Sequence, residues 1–95
     1  GVFEIPTVFS SLVNKYEAFI LLGCVIKGKT SHYDHLCDSV FNSIIKISTK
    51  HKVPVGVGIL TCNNKQQAII RSDIKKGNKG GMAAIAAIRL KKIII

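Results

Sequence analysis

The sequence lacks an apolar run long enough to cross a membrane. Its longest run, residues 18–26, covers nine residues, whereas a membrane-spanning helix needs about 20. We expect no secretory leader, because the first residues carry no basic and apolar pattern of that kind. The three cysteines are odd in number and form no C-x-x-C pair, so neither a disulfide framework nor a metal site of that type is expected (Cys24, Cys37, Cys62). We therefore expect a cytoplasmic protein with reduced thiols and no membrane partner.

Acidic residues are scarce, and only Asp73 follows residue 38. Against 14 lysines and arginines, the five acids leave a net charge of +9. Such a balance is found in proteins that bind nucleic acid or anionic membranes. Here the lysines are scattered and no aromatic platform accompanies them, so we interpret the charge as a compositional bias and expect no nucleic-acid partner.

The length and composition predict one small globular domain over residues 1–95. Apolar residues make up 47% of the chain and charged residues 20%, which is typical of a folded protein. A chain of this size buries a modest share of its surface, so we expect it to depend on oligomerisation or on additional sequence.

The spacing of apolar residues predicts alternating helices and strands. Two short continuous runs, residues 18–26 and 53–60, predict strands. The first run has the pattern of a strand that is covered on both faces. A first helix is predicted after Pro6, since proline is favoured in a first helical turn. Between the strands, apolar residues at steps of three or four predict an amphipathic helix (Leu36, Val40, Phe41, Ile44, Ile47).

The last third of the sequence predicts a short helix over residues 66–71, a glycine-rich turn over 77–81 and an alanine-rich helix over 82–90. This order of elements is typical of an α/β fold with a parallel sheet. Ligands of such folds bind beyond the carboxyl ends of the strands. Residues 28–32 and 61–64 are therefore predicted to lie at the functional edge.

One segment, Gly23 to Thr30, matches the phosphate-loop pattern G-x-x-x-x-G-K-[S/T]. Its middle residues are apolar and continue the first predicted strand, so a nucleotide-hydrolysing loop is not expected. The end of the segment can still bind a single phosphate, because a helix that begins after Thr30 or Ser31 would offer amide donors and a hydroxyl. An ordinary helix-capping turn is equally compatible with these residues.

Two histidines and a basic cluster are the remaining candidates for chemistry. His32 lies at the predicted functional edge, where an imidazole can transfer protons near neutral pH; a solvent-exposed histidine is the simpler alternative. His35 follows at helical spacing, but no further ligand supports a metal site. Arg71 and Lys79 border the glycine-rich turn and suit phosphate binding, although a solvated basic face is as compatible.

Four segments are specific when taken together. GVFEIP, LLGCVIKGKTSHYDHLCDSV, VPVGVGILT and QQAIIRSDIKKGNKGGMAAIAAI occur in this order with short spacers. They resemble the lumazine synthase family over essentially the whole chain. The resemblance implies a flavodoxin-like three-layer α/β sandwich with a parallel sheet, from which this chain would lack the N-terminal strand and helix.

The resemblance also implies an activity in riboflavin biosynthesis. The family condenses 5-amino-6-(D-ribitylamino)uracil with 3,4-dihydroxy-2-butanone 4-phosphate to give 6,7-dimethyl-8-ribityllumazine. It uses no metal and no organic cofactor, and it assembles as homo-pentamers or as sixty-subunit shells. The motif TSHYDHLC favours this family over the related archaeal-type riboflavin synthases. A truncated or decayed homologue, which assembles or binds flavin-like ligands without catalysis, is the alternative.

The resemblance assigns roles to particular residues. Two segments would contact the pyrimidine and its ribityl chain (Val2, Phe3, Glu4; Cys24, Val25, Ile26). The butanone phosphate would be held by Lys29 and Thr30, and His32 would transfer protons. Arg71, with Lys79 beside it, would reach the phosphate in a neighbouring subunit's site. Val57 would line the site where many members have Phe, and Ile70 precedes the arginine where an acid is common.

Overall fold

Two parallel strands form the centre of the computed structural model, which describes residues 1–28 and 31–94. Strand β1 (Phe19–Ile26) and strand β2 (Val55–Cys62) pair over their full length, from Phe19 opposite Val55 to Ile26 opposite Cys62. Since the strands are parallel and in register, their carboxyl ends lie at the same edge of the sheet.

Within the described residues, four helices surround this sheet. A 3-10 turn at Val2–Glu4 leads into helix α1 (Ile5–Leu12), and helix α2 (His32–His51) connects the two strands. Helices α3 (Lys65–Ser72) and α4 (Lys79–Ile93) follow β2. Among the described residues, no helix is long and apolar enough to cross a membrane.

The helices occupy both faces of the sheet. The buried core is formed by α1, α2 and the sheet face that carries Leu21 and Ile59 (Phe9, Val13, Leu21, Val40, Ile44, Val53, Ile59). Helix α4 lies on the opposite face, where Gly56 and Gly58 admit the backbone and the methyl group of Ala83. The three layers confirm the predicted α/β class with a parallel sheet and fit a flavodoxin-like sandwich.

Helix α2 ends in a left-handed residue. Lys52 has φ 52° and ψ 42°, and its N–H donates to the carbonyl of Ser48. The N–H of Val53 donates to the same carbonyl at 3.2 Å. These two bonds satisfy a carbonyl group at the helix end and turn the chain toward β2.

Two details differ from the sequence predictions. The predicted turn at residues 77–81 is partly wrong, because α4 already begins at Lys79 and includes both Gly80 and Gly81. Strand β1 is not covered on both faces within the described chain: Ile20 is 48% exposed and Leu22 is 60% exposed. Helix α4 packs mainly over β2, which leaves these β1 side chains open.

Candidate functional site

Two elements that are distant in sequence form a cleft near the end of β1, here called the histidine cleft. Its volume is about 510 Å³, and it is lined by the 3-10 turn and the first two turns of α2 (Gly1, Val2, Phe3, Glu4, His32, His35, Leu36, Ser39). On α2, residues 32, 35 and 39 follow one another at steps of three and four, so they share one helix face. Strand β1 ends shortly before this helix begins, which places the cleft at the carboxyl edge of the sheet.

The histidine cleft contains the groups required for proton transfer and hydroxyl binding. His32 and His35 are both exposed, as are Phe3 and Glu4. An imidazole can accept and return a proton near neutral pH, and a carboxylate accepts hydrogen bonds from hydroxyl groups. Phe3 is 63% exposed and offers an aromatic surface to a ligand.

The end of β1 contributes its residues to two different faces. Successive side chains of a strand point to opposite faces, so Val25 shares the face of Gly23. Gly23 lies against Val2: a Cβ at this glycine would be 2.8 Å from the Val2 side chain. Val25 therefore faces the side of the histidine cleft, whereas Cys24 and Ile26 face the side of α4.

Cys24 and Cys62 lie side by side on the α4 face. Partial burial, and next the charge and hydrogen bond of the neighbouring Cys62, raise the pKa of the Cys24 thiol. Cys62 itself is buried, with 1% of its surface exposed. Both thiols are free, and a raised pKa keeps Cys24 protonated at neutral pH.

A second cleft, here called the arginine cleft, lies along the outer edge of β2. Its volume is about 410 Å³, and it is lined by five consecutive strand residues and two cations (Val57, Gly58, Ile59, Leu60, Thr61, Arg71, Lys79). The side chain of Arg71 reaches the cleft, where its Nη1 donates a hydrogen bond to the carbonyl of Thr61 at 3.0 Å. The same nitrogen lies 3.6 Å from the sulfur of Cys62. A half-buried guanidinium next to a lysine is suited to a phosphate or carboxylate.

The two clefts share no lining residue. The histidine cleft lies against the 3-10 turn and α2, and the arginine cleft lies against β2, α3 and α4. Within one chain, His32 and Glu4 are thus grouped together, and Arg71 and Lys79 form a separate group.

An apolar groove adjoins the arginine cleft. Its volume is about 510 Å³, and it runs between α2 and α4 past the start of β2 (Ile44, Ile45, Ser48, Thr49, Lys52, Val53, Val55, Val57, Leu90, Ile94). Val57 lines both the groove and the arginine cleft and is 40% exposed. The predicted substrate-binding position of Val57 therefore lies at the boundary between a polar and an apolar surface.

The predicted phosphate-binding segment between β1 and α2 is described only in part. Lys29 and Thr30, the predicted phosphate ligands, lie outside the described residues. The strand continues through Ile26, so the middle of the G-x-x-x-x-G-K-T segment is not a loop. This finding agrees with the prediction that it is no nucleotide-hydrolysing site. Ser31 precedes α2 as expected, but its side chain makes no capping hydrogen bond.

The sequence analysis did not identify three neighbours of the candidate residues: Ser39 beside the two histidines, and Cys62 and Gly77 beside Arg71. Ser39 could have been found, because it follows His35 by one helical turn. Cys62 lies within the predicted functional segment at residues 61–64, but its contact with Arg71 depends on how α3 folds back. Among residues 1–28 and 31–94, no group of three or more His, Cys, Asp or Glu residues is placed to hold a metal ion.

Comparison with known proteins identifies a family that this chain resembles. The 6,7-dimethyl-8-ribityllumazine synthase family matches residues 1–94 of the chain. The chain is 45% identical to the 6,7-dimethyl-8-ribityllumazine synthase of Buchnera aphidicola subsp. Schizaphis graminum (strain Sg) over 96 residues. The match covers 99% of this chain and 60% of that relative, so the chain spans about three-fifths of the relative's length.

Proposed function

This chain belongs to the 6,7-dimethyl-8-ribityllumazine synthase family, and from that membership we propose that the whole protein is a transferase of riboflavin biosynthesis. Its substrates are 5-amino-6-(D-ribitylamino)uracil and 3,4-dihydroxy-2-butanone 4-phosphate. The products are 6,7-dimethyl-8-ribityllumazine, inorganic phosphate and water. We also propose that the protein acts in the cytoplasm.

The observation that carries this proposal is the composition of the histidine cleft. His32, Glu4 and Phe3 come from two elements that are distant in sequence, yet they line one cleft. The aromatic ring and the main chain of Val2 and Phe3 suit a pyrimidine, and Glu4 suits the hydroxyl groups of the ribityl chain. Val25, on the same side, completes the pyrimidine contacts with the main chain of Cys24 and Ile26.

His32 performs the proton transfers of the reaction. The amine of the pyrimidine attacks the ketone, water leaves, and an imine forms. Loss of a proton from the carbon skeleton then expels phosphate, and the resulting enol becomes a ketone. The ribitylamino nitrogen attacks this ketone and closes the ring, with loss of a second water. Each step needs a group that takes and returns a proton at cellular pH, which an imidazole does. The phosphate is held by Lys29, Thr30 and Arg71, so that it leaves from a fixed position.

The site is formed by two copies of the chain. Arg71 and Lys79 line a cleft that shares no residue with the histidine cleft, so a second copy supplies the phosphate-binding arginine and lysine. The apolar groove beside Val57 supports a subunit contact there, because Ile45 is 57% exposed and Ile94 is 36% exposed. We propose a homo-pentamer, alone or as part of a sixty-subunit shell.

The alternative function is ligand binding without turnover. The family resemblance implies an aromatic residue at the position of Val57, and loss of that ring would weaken contact with the pyrimidine. A homologue of this kind would still assemble and bind flavin-like compounds. Its histidine cleft would bind the pyrimidine, but the chemical step would not follow.

An assay of product formation tests the proposal directly. The purified whole protein is mixed with both substrates, and the lumazine is followed by its absorbance and fluorescence. We expect turnover well above the spontaneous condensation. Binding of the pyrimidine without acceleration of lumazine formation would favour the non-catalytic homologue, and no binding of either substrate would contradict both functions.

A further inference from the structure

The guanidinium of Arg71 is held by two acceptors at the end of β2. Its Nη1 donates to the Thr61 carbonyl at 3.0 Å and to the Cys62 sulfur at 3.6 Å. Because Cys62 has only 1% of its surface exposed, its sulfur is a fixed acceptor that solvent does not compete for. A guanidinium bonded to two fixed acceptors loses less conformational entropy when it binds an anion.

The backbone of Arg71 is held by the turn between α3 and α4. Gly77 packs directly against it: a Cβ at this position would lie 2.6 Å from the Arg71 Cα and 2.7 Å from its carbonyl oxygen. The N–H of Gly77 donates to the carbonyl of Ile70 at 3.1 Å. Two further N–H groups of the turn, those of Lys76 and Asn78, donate to the Asp73 carbonyl, which keeps the turn tight.

This arrangement explains how Arg71 is oriented in a chain that has Ile70 before it. Ile70 is 44% exposed and carries no charge, so it cannot pair with the guanidinium. The main-chain and thiol acceptors at the end of β2 orient the guanidinium instead. The fixed orientation therefore depends on the end of β2 and not on the residue that precedes Arg71.

We propose that Cys62 and Gly77 are positioning residues for Arg71: the Cys62 thiol fixes the guanidinium, and Gly77 fixes the main chain. The inference rests on the proposed role of Arg71 in binding the substrate phosphate. Neither residue touches the ligand. The affinity for phosphate nevertheless depends on both, whereas the affinity for the pyrimidine does not.

The test uses substitutions in the whole protein and two readouts. The dissociation constant of inorganic phosphate is measured by calorimetry, and the KM of each substrate is measured in the assay. Cys62→Val removes the acceptor at similar volume and should weaken phosphate binding about three- to tenfold. Cys62→Ser keeps an acceptor and should stay within about twofold of the parent protein. The KM for the pyrimidine should not change in either variant.

Gly77→Ala provides an independent variant. The added methyl group displaces Arg71, and a displacement on the order of 1 Å in a binding group lowers phosphate affinity about tenfold or more. Gly80→Ala is the matched control, because its Cβ would meet only a Leu22 methyl group at 4.0 Å. Cys37→Val is the control for loss of a thiol, since this half-buried residue lies on α2.

The outcomes separate this inference from the proposed function. If Arg71→Ala weakens phosphate binding while Cys62→Val and Gly77→Ala both bind phosphate like the parent protein, the positioning role is wrong. Equal loss of affinity for phosphate and pyrimidine would also overturn it, since that pattern indicates general misfolding. If Arg71→Ala itself leaves phosphate binding unchanged, the phosphate role of Arg71 fails, and this inference fails with it.

Discussion

At the scale of single residues, two histidines compete for the same chemical role. His32 and His35 both line the histidine cleft, and both are exposed. His32 stands first in α2, directly after the segment that holds the phosphate in our proposal. His35 lies one turn further along the helix. We therefore assign proton transfer to His32.

Substitution of each histidine tests this assignment. His32→Ala should lower kcat and leave the dissociation constant of the pyrimidine nearly unchanged. General acid–base groups contribute about 10²–10⁴-fold, and we expect the low end because the condensation also occurs spontaneously. His35→Ala is the matched control and should change kcat by about twofold or less. A larger effect of His35→Ala in steady-state kinetics would transfer the role to His35.

Candidate functional residues could be selected from the sequence more easily than the contacts between them. His32 could be selected because it follows a strand end at a helix start, a position that local patterns reveal. The contact of Arg71 with Thr61 and Cys62 could not, because it depends on the angle at which α3 returns to the sheet. Val57 was predicted near the site, but only the folded chain shows that it borders both the arginine cleft and the apolar groove.

At the scale of elements, the closest packing joins α4 to β2. A Cβ at Gly56 would lie 1.8 Å from the carbonyl oxygen of Ala83, and a Cβ at Gly58 would lie 3.2 Å from the Ala83 methyl group. The backbone of the helix thus rests directly on the backbone of the strand. Glycine at position 56 is required by this close approach, and position 58 leaves little room for a side chain.

Gly56→Ala should therefore separate α4 from the sheet. Overpacking of this kind typically costs about 1–3 kcal/mol, and contact with a main-chain atom that cannot rotate away favours the upper end. Gly28→Ala is the control, because a Cβ there would meet no atom of the described residues within 4 Å. Urea unfolding monitored by circular dichroism measures both variants. Equal midpoints for Gly56→Ala and the parent protein would contradict the packing described here.

A substitution at the left-handed end of α2 should instead stabilise the protein. Lys52 adopts φ 52°, a region that glycine occupies without steric cost. Lys52→Gly should raise the free energy of unfolding by about 0.5–1 kcal/mol. Lys50→Gly, two residues earlier within the helix, should lower it by about 1 kcal/mol. If both substitutions destabilise the protein equally, Lys52 does not hold this conformation in solution.

Helices with a strong apolar periodicity could be predicted from the sequence, but the residues at which helices begin and end were harder to predict. The position of α2 could be predicted from its apolar stripe, because the residues of that stripe are the ones that pack against the core. The start of α4 was predicted three residues late, because two consecutive glycines usually indicate a turn. In the folded chain the helix begins immediately after Asn78, which is itself left-handed at φ 46°. Gly80 and Gly81 are half-buried within the first turn of the helix.

At the scale of the whole molecule, the chain presents surfaces that it does not cover itself. Ile20 and Leu22 on β1 are open, and so is the apolar groove beside β2. The predicted coverage of both strand faces was wrong for this chain because a run of apolar residues does not reveal which element covers it. In our proposal, further copies of the chain cover the groove and supply Arg71 to the histidine cleft.

The central claim is that His32 and Arg71 of one active site come from different copies. Mixing two defective variants, His32→Ala and Arg71→Ala, tests it most directly. The two proteins are co-expressed in equal amounts, and the mixed particles are isolated and assayed. If sites form between copies, about one quarter of them combine an intact His32 with an intact Arg71. We expect lumazine formation near that fraction of the parent rate, well above the rate of either variant alone. Mixed particles no more active than the separate variants would show that each site lies within one chain.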